Sequence, residues 1–205
     1  DAVRATLAEG RGVVLVTGHF GNWEITGATL AANGLPMDVV IRSLTNRRLD
    51  RYVREVRTRL GMRVIDRTSA WDRLLARVRA GRIVGLAADQ DAHRDGVFVP
   101  FFGQLASTHR APALLAIRGG ATLFVVGVRR VGPRRYEFWC KRLDVAGPRD
   151  VREHVLELTR GWMGELERQV RVSPEQYFWH HRRWKTRPPG TEAVGAGISS
   201  GQVSQ

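Results

Sequence analysis

A histidine and a glutamate five positions apart stand directly after a predicted strand, within His19-Phe20-Gly21-Asn22-Trp23-Glu24. In an unbroken helix this spacing would set the two side chains about 140° apart, on different faces. They meet only across a bend, and Gly21 favours one because glycine adopts backbone angles that other residues avoid. Asn22 is then a good N-cap, with Glu24 in the first helical turn, where a carboxylate is favourable. We therefore expect Glu24 to fold back onto the His19 ring.

Such a pair is typical of general-base catalysis. A carboxylate on one ring nitrogen of His19 would fix the tautomer and stabilise the imidazolium, leaving the other nitrogen to take a proton from a hydroxyl. A base of this kind contributes roughly 100-fold to 10,000-fold in rate. A purely structural hydrogen-bonded pair is the alternative. The position favours catalysis, because open α/β sheets bind ligands beyond the carboxyl ends of their strands.

The apolar periodicity predicts alternating strands and helices. In the first half, strands are expected at residues 13–17, 37–42, 62–65 and 83–88, and helices at 22–33, 46–60 and 71–80. In the second half, strands are expected at 97–102, 123–130 and 136–143, and helices near 109–118 and at 149–170, with an antiparallel hairpin turning at Gly132-Pro133. This order predicts an α/β fold, a single-domain mixed β-sheet flanked by helices over residues 1–188. Residues 189–205, rich in Gly, Ser and Ala, are expected to form a disordered tail.

The charge of the chain favours an anionic partner. Lys and Arg total 33 against 20 Asp and Glu, a formal net charge of +13, and all but two of the basic residues are arginine, which binds phosphate in a bidentate manner. Thirteen arginines and four acidic residues lie between Arg42 and Arg82. An ordinary solvated face is the alternative. The partners that fit are an acidic carrier protein, the phosphates of coenzyme A, or lipid phosphates at a membrane.

Several classes of protein lose their support in the sequence. The single cysteine excludes an internal disulfide and multi-cysteine zinc sites. The sequence contains no P-loop, no G-x-G-x-x-G after a strand, no H-E-x-x-H and no G-x-S-x-G. No run approaches the ~20 apolar residues of a membrane span. Because the chain starts at Asp1 and enters a helix almost at once, we expect that an N-terminal segment precedes it.

Two rival functions remain open at this stage. Asp89-Gln90-Asp91 after a predicted strand has the form of a D-x-D metal site, which would suit a metal-dependent glycosyltransferase. The aromatic and basic residues 177–187, with the net charge, would suit a nucleic-acid-binding domain. Against that second function, the basic residues are spread over several elements and no recognition motif is present.

The segment from His19 to Glu24 resembles the H-x4-E motif of the lipid A biosynthesis (late) acyltransferases, of the lauroyl and myristoyl acyltransferase type, in the lysophospholipid acyltransferase-like superfamily. Three further blocks resemble family motifs in the family's order: Val40-Ile41-Arg42 with Asn46 and Asp50; Ala88-Asp89-Gln90-Asp91 with residues 97–103 and Thr108; and residues 175–188. Four ordered blocks are far more specific than H-x4-E alone. Trp184 departs from the pattern, since phenylalanine is expected there.

The resemblance implies a glycerolipid acyltransferase-like fold and a metal-free reaction without a cofactor. A fatty acyl chain would move from a thioester, on acyl carrier protein or coenzyme A, to a hydroxyl of a membrane lipid acceptor, a lipid A precursor or related glycolipid. His19 would deprotonate the hydroxyl and Glu24 would orient His19. The implied partners are that donor, an anionic lipid acceptor and a membrane surface, with no nucleic acid. The implied location is peripheral or anchored on the cytoplasmic face of the bacterial inner membrane.

Five residues are candidates for binding substrate. Arg42 ends a predicted strand and would bind a phosphate or steady the oxyanion. Asp89 and Gln90 also follow a strand, and would position substrate or support Arg42 unless they merely cap the loop. Asn46 and Arg182 stand in the second and C-terminal blocks of the resemblance, which implies a substrate contact for each.

Overall fold

The computed structural model describes residues 2–68, 71–145 and 150–190, so most of the predicted tail lies outside the described residues. The main sheet contains β1 (Val13–Thr17), β2 (Met37–Ile41), β3 (Arg63–Asp66), β4 (Ile83–Ala87), β7 (Thr122–Gly132) and β8 (Arg135–Leu143). Its strand order is β3-β2-β4-β1-β7-β8, parallel except for the antiparallel hairpin of β7 and β8. A separate antiparallel hairpin pairs β5 (Val97–Phe101) with β6 (Gln104–Thr108). The predicted mixed α/β sheet is confirmed.

The helices are α1 (Ala2–Ala8), α2 (Trp23–Ala32), α3 (Arg47–Arg59), α4 (Trp71–Arg79), α5 (Ala111–Gly119) and α6 (Val151–Val172). Each matches an expected helix to within a few residues. Strand β6 was not expected, because its sequence is short and largely polar. It forms because Phe102 and Gly103 both take positive φ and turn the chain tightly back along β5.

Helices cover both faces of the sheet and bury two apolar clusters. The larger cluster lies beneath α4, α5 and α6 and includes Trp162 and Leu166. The smaller cluster includes Leu15, Met37 and Met62, with partly buried residues of α1 and α2 packed against it. Strand β1 is buried, with helices on both faces of the sheet. The loop that follows β1 therefore lies at an edge of the sheet that is flanked by helices. Within the described ranges, no helix has the length and apolar character needed to cross a bilayer.

Candidate functional site

The pairing of two neighbouring strands brings His19 and Asp89 together. Strands β1 and β4 are parallel, with Thr17 paired to Ala87, and His19 and Asp89 each lie two positions beyond that pair. Asp89 Oδ1 lies 2.6 Å from His19 Nδ1, and Asp89 Oδ2 accepts a hydrogen bond of 2.8 Å from the His19 backbone N–H. The carboxylate therefore fixes both the ring and the backbone of His19.

The expectation that Glu24 folds back onto the His19 ring is wrong. Glu24 accepts two hydrogen bonds from the guanidinium of Arg57 on α3, one of them 3.0 Å long between Arg57 Nε and Glu24 Oε2. The Asn22 cap, which accepts from the Ile25 N–H, starts the helix as expected. In the first turn of this helix, Glu24 lies close enough to α3 to bind Arg57. Asp89, and not Glu24, contacts the ring nitrogen Nδ1 of His19. A catalytic role for Glu24 stays a prediction.

The electrostatics of this pair favour a protonatable histidine. Burial alone would lower the pKa of His19, but the hydrogen bond and charge of Asp89, with a smaller contribution from Glu24, raise it above its ordinary value. Burial would raise the pKa of Asp89, but the hydrogen bonds and the charge of His19, with a smaller contribution from Tyr177, lower it instead. An imidazolium formed at His19 would therefore be stabilised beside an ionised carboxylate.

The C-terminal segment holds the histidine loop in place. Tyr177 is buried beside Asp89, and burial together with the Asp89 charge raises the pKa of Tyr177, so the phenol keeps its proton. The Phe178 N–H donates to the His19 carbonyl at 3.0 Å, and the Gly21 N–H donates to the Gln176 carbonyl at 2.8 Å. These bonds connect both sides of the loop to one C-terminal stretch.

Two glycines make this close packing possible. Gly21 has φ +58°, and a Cβ there would lie 1.9 Å from the Val128 carbonyl oxygen. A Cβ on Gly18 would lie 2.6 Å from Leu166 Cδ2 and 3.0 Å from Asp89 Oδ2. The bend predicted at Gly21 is therefore confirmed, and Gly18 lets α6 and the carboxylate approach the loop.

A cavity of about 580 Å³ opens beside His19. Its polar wall includes His19, Glu24, Arg42, Gln90 and His109. Its apolar walls include Leu15, Met37, Val39, Met62, Leu74, Leu86 and Val126. A polar wall beside a mainly apolar interior suits a ligand with a reactive polar end and a hydrocarbon chain.

The structure brings only some of the predicted substrate-binding residues to this cavity. Arg42 and Gln90 line it. Asn46 instead caps α3, its side-chain oxygen accepting from two backbone N–H groups at 3.0 Å and 3.2 Å. Arg182 is exposed on the C-terminal segment and does not line the cavity, and Asp89 binds His19. Substrate contacts of Asn46, Asp89 and Arg182 stay predictions; in this structure the side chains of Asn46 and Asp89 bind protein groups and do not line the cavity.

Sequence reasoning missed other residues of the site. The Trp23 ring lies 4.9 Å from the His19 ring, centroid to centroid, in an edge-on arrangement. Arg183 is buried, donates to the Ser107 carbonyl and the Thr108 hydroxyl, and has a pKa lowered by burial. Trp23 lies within the first motif, which was a usable signal. No spacing in the sequence distinguishes the buried Arg183 from the exposed Arg182 beside it.

The geometry does not support the two rival functions. Asp89 binds His19, whereas Asp91 Oδ2 accepts from Thr186 at 2.8 Å, so the two carboxylates of the D-x-D segment serve different partners. In the part of the chain that the structure describes, no group of three or more His, Cys, Asp or Glu side chains is placed to hold a metal ion. In the C-terminal stretch, the rings of Tyr177 and Trp184 pack on Phe101, and the ring centroids of Tyr177 and Trp179 lie 4.9 Å apart.

Comparison with known proteins adds a family to this geometry. The family model described as bacterial lipid A biosynthesis acyltransferase matches residues 1–186. The chain is 37% identical over 130 residues to a phosphatidylinositol mannoside acyltransferase of Mycolicibacterium smegmatis, covering 62% of this chain and 43% of the relative. It is 32% identical over 194 residues to the lipid A biosynthesis lauroyltransferase of Escherichia coli, covering 93% of this chain and 61% of the relative. A lipid A biosynthesis palmitoleoyltransferase of the same organism is 29% identical over 199 residues, 95% of this chain and 62% of the relative. The chain thus spans about two fifths to three fifths of the length of these relatives.

Proposed function

Because the chain belongs to the bacterial lipid A biosynthesis acyltransferase family, we propose that it moves a fatty acyl chain from a thioester to a hydroxyl group of a lipid acceptor. One observation carries the proposal: the buried Asp89 holds His19 at the polar wall of a cavity whose interior is apolar. The reacting carbonyl would lie beside His19 and the acyl chain in the apolar interior. The relatives' names, which refer to lipid A and to a phosphatidylinositol mannoside, support a glycolipid acceptor.

The chemistry needs no covalent enzyme intermediate. His19 Nε2 takes the proton from the acceptor hydroxyl as its oxygen attacks the thioester carbonyl, while Asp89 at Nδ1 stabilises the resulting imidazolium. When the tetrahedral intermediate collapses, the carbon–sulfur bond breaks and the imidazolium returns the proton to the leaving thiolate. An ester and a free thiol result. Glu24, paired with Arg57 beside the cavity, adds negative charge that favours the same imidazolium.

The donor is a phosphate-bearing thioester, on acyl carrier protein or on coenzyme A. Arg42 is exposed, lines the cavity beside His19, and has no ion pair within the described ranges. A free guanidinium there suits a donor phosphate or the oxyanion of the intermediate. No metal or further cofactor is part of the proposed reaction.

Helix α3 provides a surface for an anionic membrane beside the same cavity. None of its residues is buried, although Leu49 and Tyr52 are apolar and are 50% and 63% exposed. Arginines 47, 48, 51 and 59 of this helix are exposed as well. Exposed apolar residues with arginines suit the boundary between anionic headgroups and acyl chains. We propose a peripheral or anchored position on the cytoplasmic face of the bacterial inner membrane, where an anionic lipid acceptor reaches His19.

The decisive test is acyl transfer by the purified chain. Lipid acceptors are incubated with an acyl thioester and the products are identified by mass spectrometry. His19→Ala should reduce transfer by about 100-fold or more, because the base is lost. His180→Ala is the matched control, since His180 is exposed outside the cavity, and it should transfer normally. Near-normal transfer by a folded His19→Ala variant would overturn the proposed mechanism.

A further inference from the structure

Two glycines face the cavity from opposite sides, Gly27 on α2 and Gly85 on β4. A Cβ built on Gly85 would lie 2.4 Å from Met37 Cε, and a Cβ built on Gly27 would lie 2.9 Å from Met62 Sδ. Each methionine thus fills space that the missing side chain of a glycine leaves free. All four residues line the cavity that begins at His19.

The methionines lie in the buried part of that cavity. Met37 and Met62 are each 4% exposed and belong to the smaller apolar cluster between α2 and the sheet. Met37 is the first residue of β2, whereas His19 follows the last residue of the parallel β1, so Met37 enters the cavity from the edge opposite His19. Gly85, which the Met37 methyl group covers, lies two residues inside the carboxyl end of β4, about 7 Å along the strand.

We propose that Met37 and Met62 form the closed end of the acyl-chain pocket and set the longest acyl chain that the protein accepts. Gly27 and Gly85 leave the gap between α2 and the sheet that the methionine ends occupy. This inference rests on the proposed function, because it assigns the apolar part of the cavity to the acyl chain. Because a methionine side chain is unbranched and flexible, it can move partly aside for a longer acyl chain. We therefore expect the transfer rate to fall steeply beyond the longest chain that fits.

The two kinds of substitution shift the limit in opposite directions. Met37→Ala and Met62→Ala each remove the end of a side chain and vacate space for about two to three methylene groups. Gly85→Ala places a Cβ where Met37 Cε now lies and pushes that methyl group into the cavity, which shortens it. The displaced group is the far end of a flexible side chain, so the strand itself need not move.

The experiment measures relative transfer rates for saturated acyl-coenzyme A thioesters from octanoyl to stearoyl. Met37→Ala should raise, by about tenfold, the transfer rate with a chain two methylenes longer than the wild-type optimum, relative to the rate at that optimum. Gly85→Ala should lower the same ratio of rates by a similar factor. Met163→Ala is the matched control, because Met163 is buried in the larger cluster and does not line the cavity. It should leave the length profile unchanged, whatever its effect on stability.

A binding assay separates failure of this inference from failure of the proposed function. Unlabelled fatty acids of increasing length are used to displace a fluorescent fatty acid from the wild type and from each variant. Thermal unfolding shows that each variant is folded. If no thioester supports transfer by the wild type, the proposed function fails, and the fatty-acid series alone decides the inference. A length preference that moves in opposite directions in Met37→Ala and Gly85→Ala supports it. An identical preference in the wild type and in the folded variants overturns it, in either assay.

Discussion

Asp89 binds His19 twice, through the ring nitrogen Nδ1 at 2.6 Å and through the backbone N–H at 2.8 Å. The two residues are 70 positions apart in the chain, yet each lies two residues beyond a paired position of adjacent parallel strands. Tyr177, which is buried beside the same carboxylate, helps to lower the pKa of Asp89. Removal of this carboxylate should therefore affect the tautomer, orientation and charge of His19 together.

Asp89→Asn should lower kcat by about 100-fold or more, because the amide no longer stabilises an imidazolium at His19. Steady-state acyl transfer measures the loss. Asp91→Asn is the matched control: it makes the same change two residues away, at a carboxylate that binds Thr186 instead of His19. Equal losses in the two variants would contradict a specific role for Asp89.

The pH dependence of kcat/KM should have an acid limb above the ordinary histidine pKa of 6.5, because the base must be neutral and its pKa is raised. Activity therefore rises as pH rises through the raised pKa of His19. In Asp89→Asn the negative charge that raises this pKa is lost and burial remains, so the limb should move to lower pH. An unmoved limb in that variant would show that another group titrates.

Glu24→Gln should move the acid limb less than Asp89→Asn does, because Glu24 is bound by Arg57 and contributes least to the raised pKa. Arg57→Gln leaves the Glu24 carboxylate without its guanidinium partner. The loss of kcat/KM in the double variant should differ by about fivefold from the product of the losses in the two single variants, because the two residues bind each other. If Glu24→Gln shifts the limb as far as Asp89→Asn, Glu24 contacts the ring during catalysis.

Arg42→Ala should lower kcat/KM for acyl-coenzyme A by about tenfold or more, if its guanidinium binds a donor phosphate. The same variant should lose less with acyl-pantetheine, which carries no phosphate. A similar loss with both donors indicates instead that Arg42 stabilises the oxyanion. Arg135→Ala, an exposed arginine on the edge strand β8, should leave both rates unchanged.

Replacing Leu49 and Tyr52 together by Asp should reduce binding to vesicles that contain phosphatidylglycerol by about tenfold, because two apolar contacts become negative charges. Co-sedimentation with the vesicles measures this, and vesicles of phosphatidylcholine alone should bind the wild type weakly. Val172→Asp, at an exposed position at the end of α6, is the control. If the α3 variant keeps vesicle binding and loses binding to acyl carrier protein, α3 is a carrier-protein surface.

The sequence alone determined the local features of this site. Apolar periodicity predicted the alternating strands and helices, since burial on one or both faces leaves a repeat that is readable in the chain. Gly21 and Asn22 predicted the bend and the helix start that the structure contains, because backbone freedom and capping act within a few residues. The position of His19 at the carboxyl end of β1 followed from these neighbours.

Only the tertiary structure decided which carboxylate serves His19. Spacing along the chain favoured Glu24, five residues away, whereas the strand order places β4 beside β1 and brings Asp89 to the ring. Strand order depends on how helices cover both faces of the sheet, and no short segment encodes it. For the same reason the sequence did not separate the buried Arg183 from the exposed Arg182, or place Met37 opposite Gly85. Those relationships arise from packing between elements distant in sequence, where shape and burial decide which side chains meet.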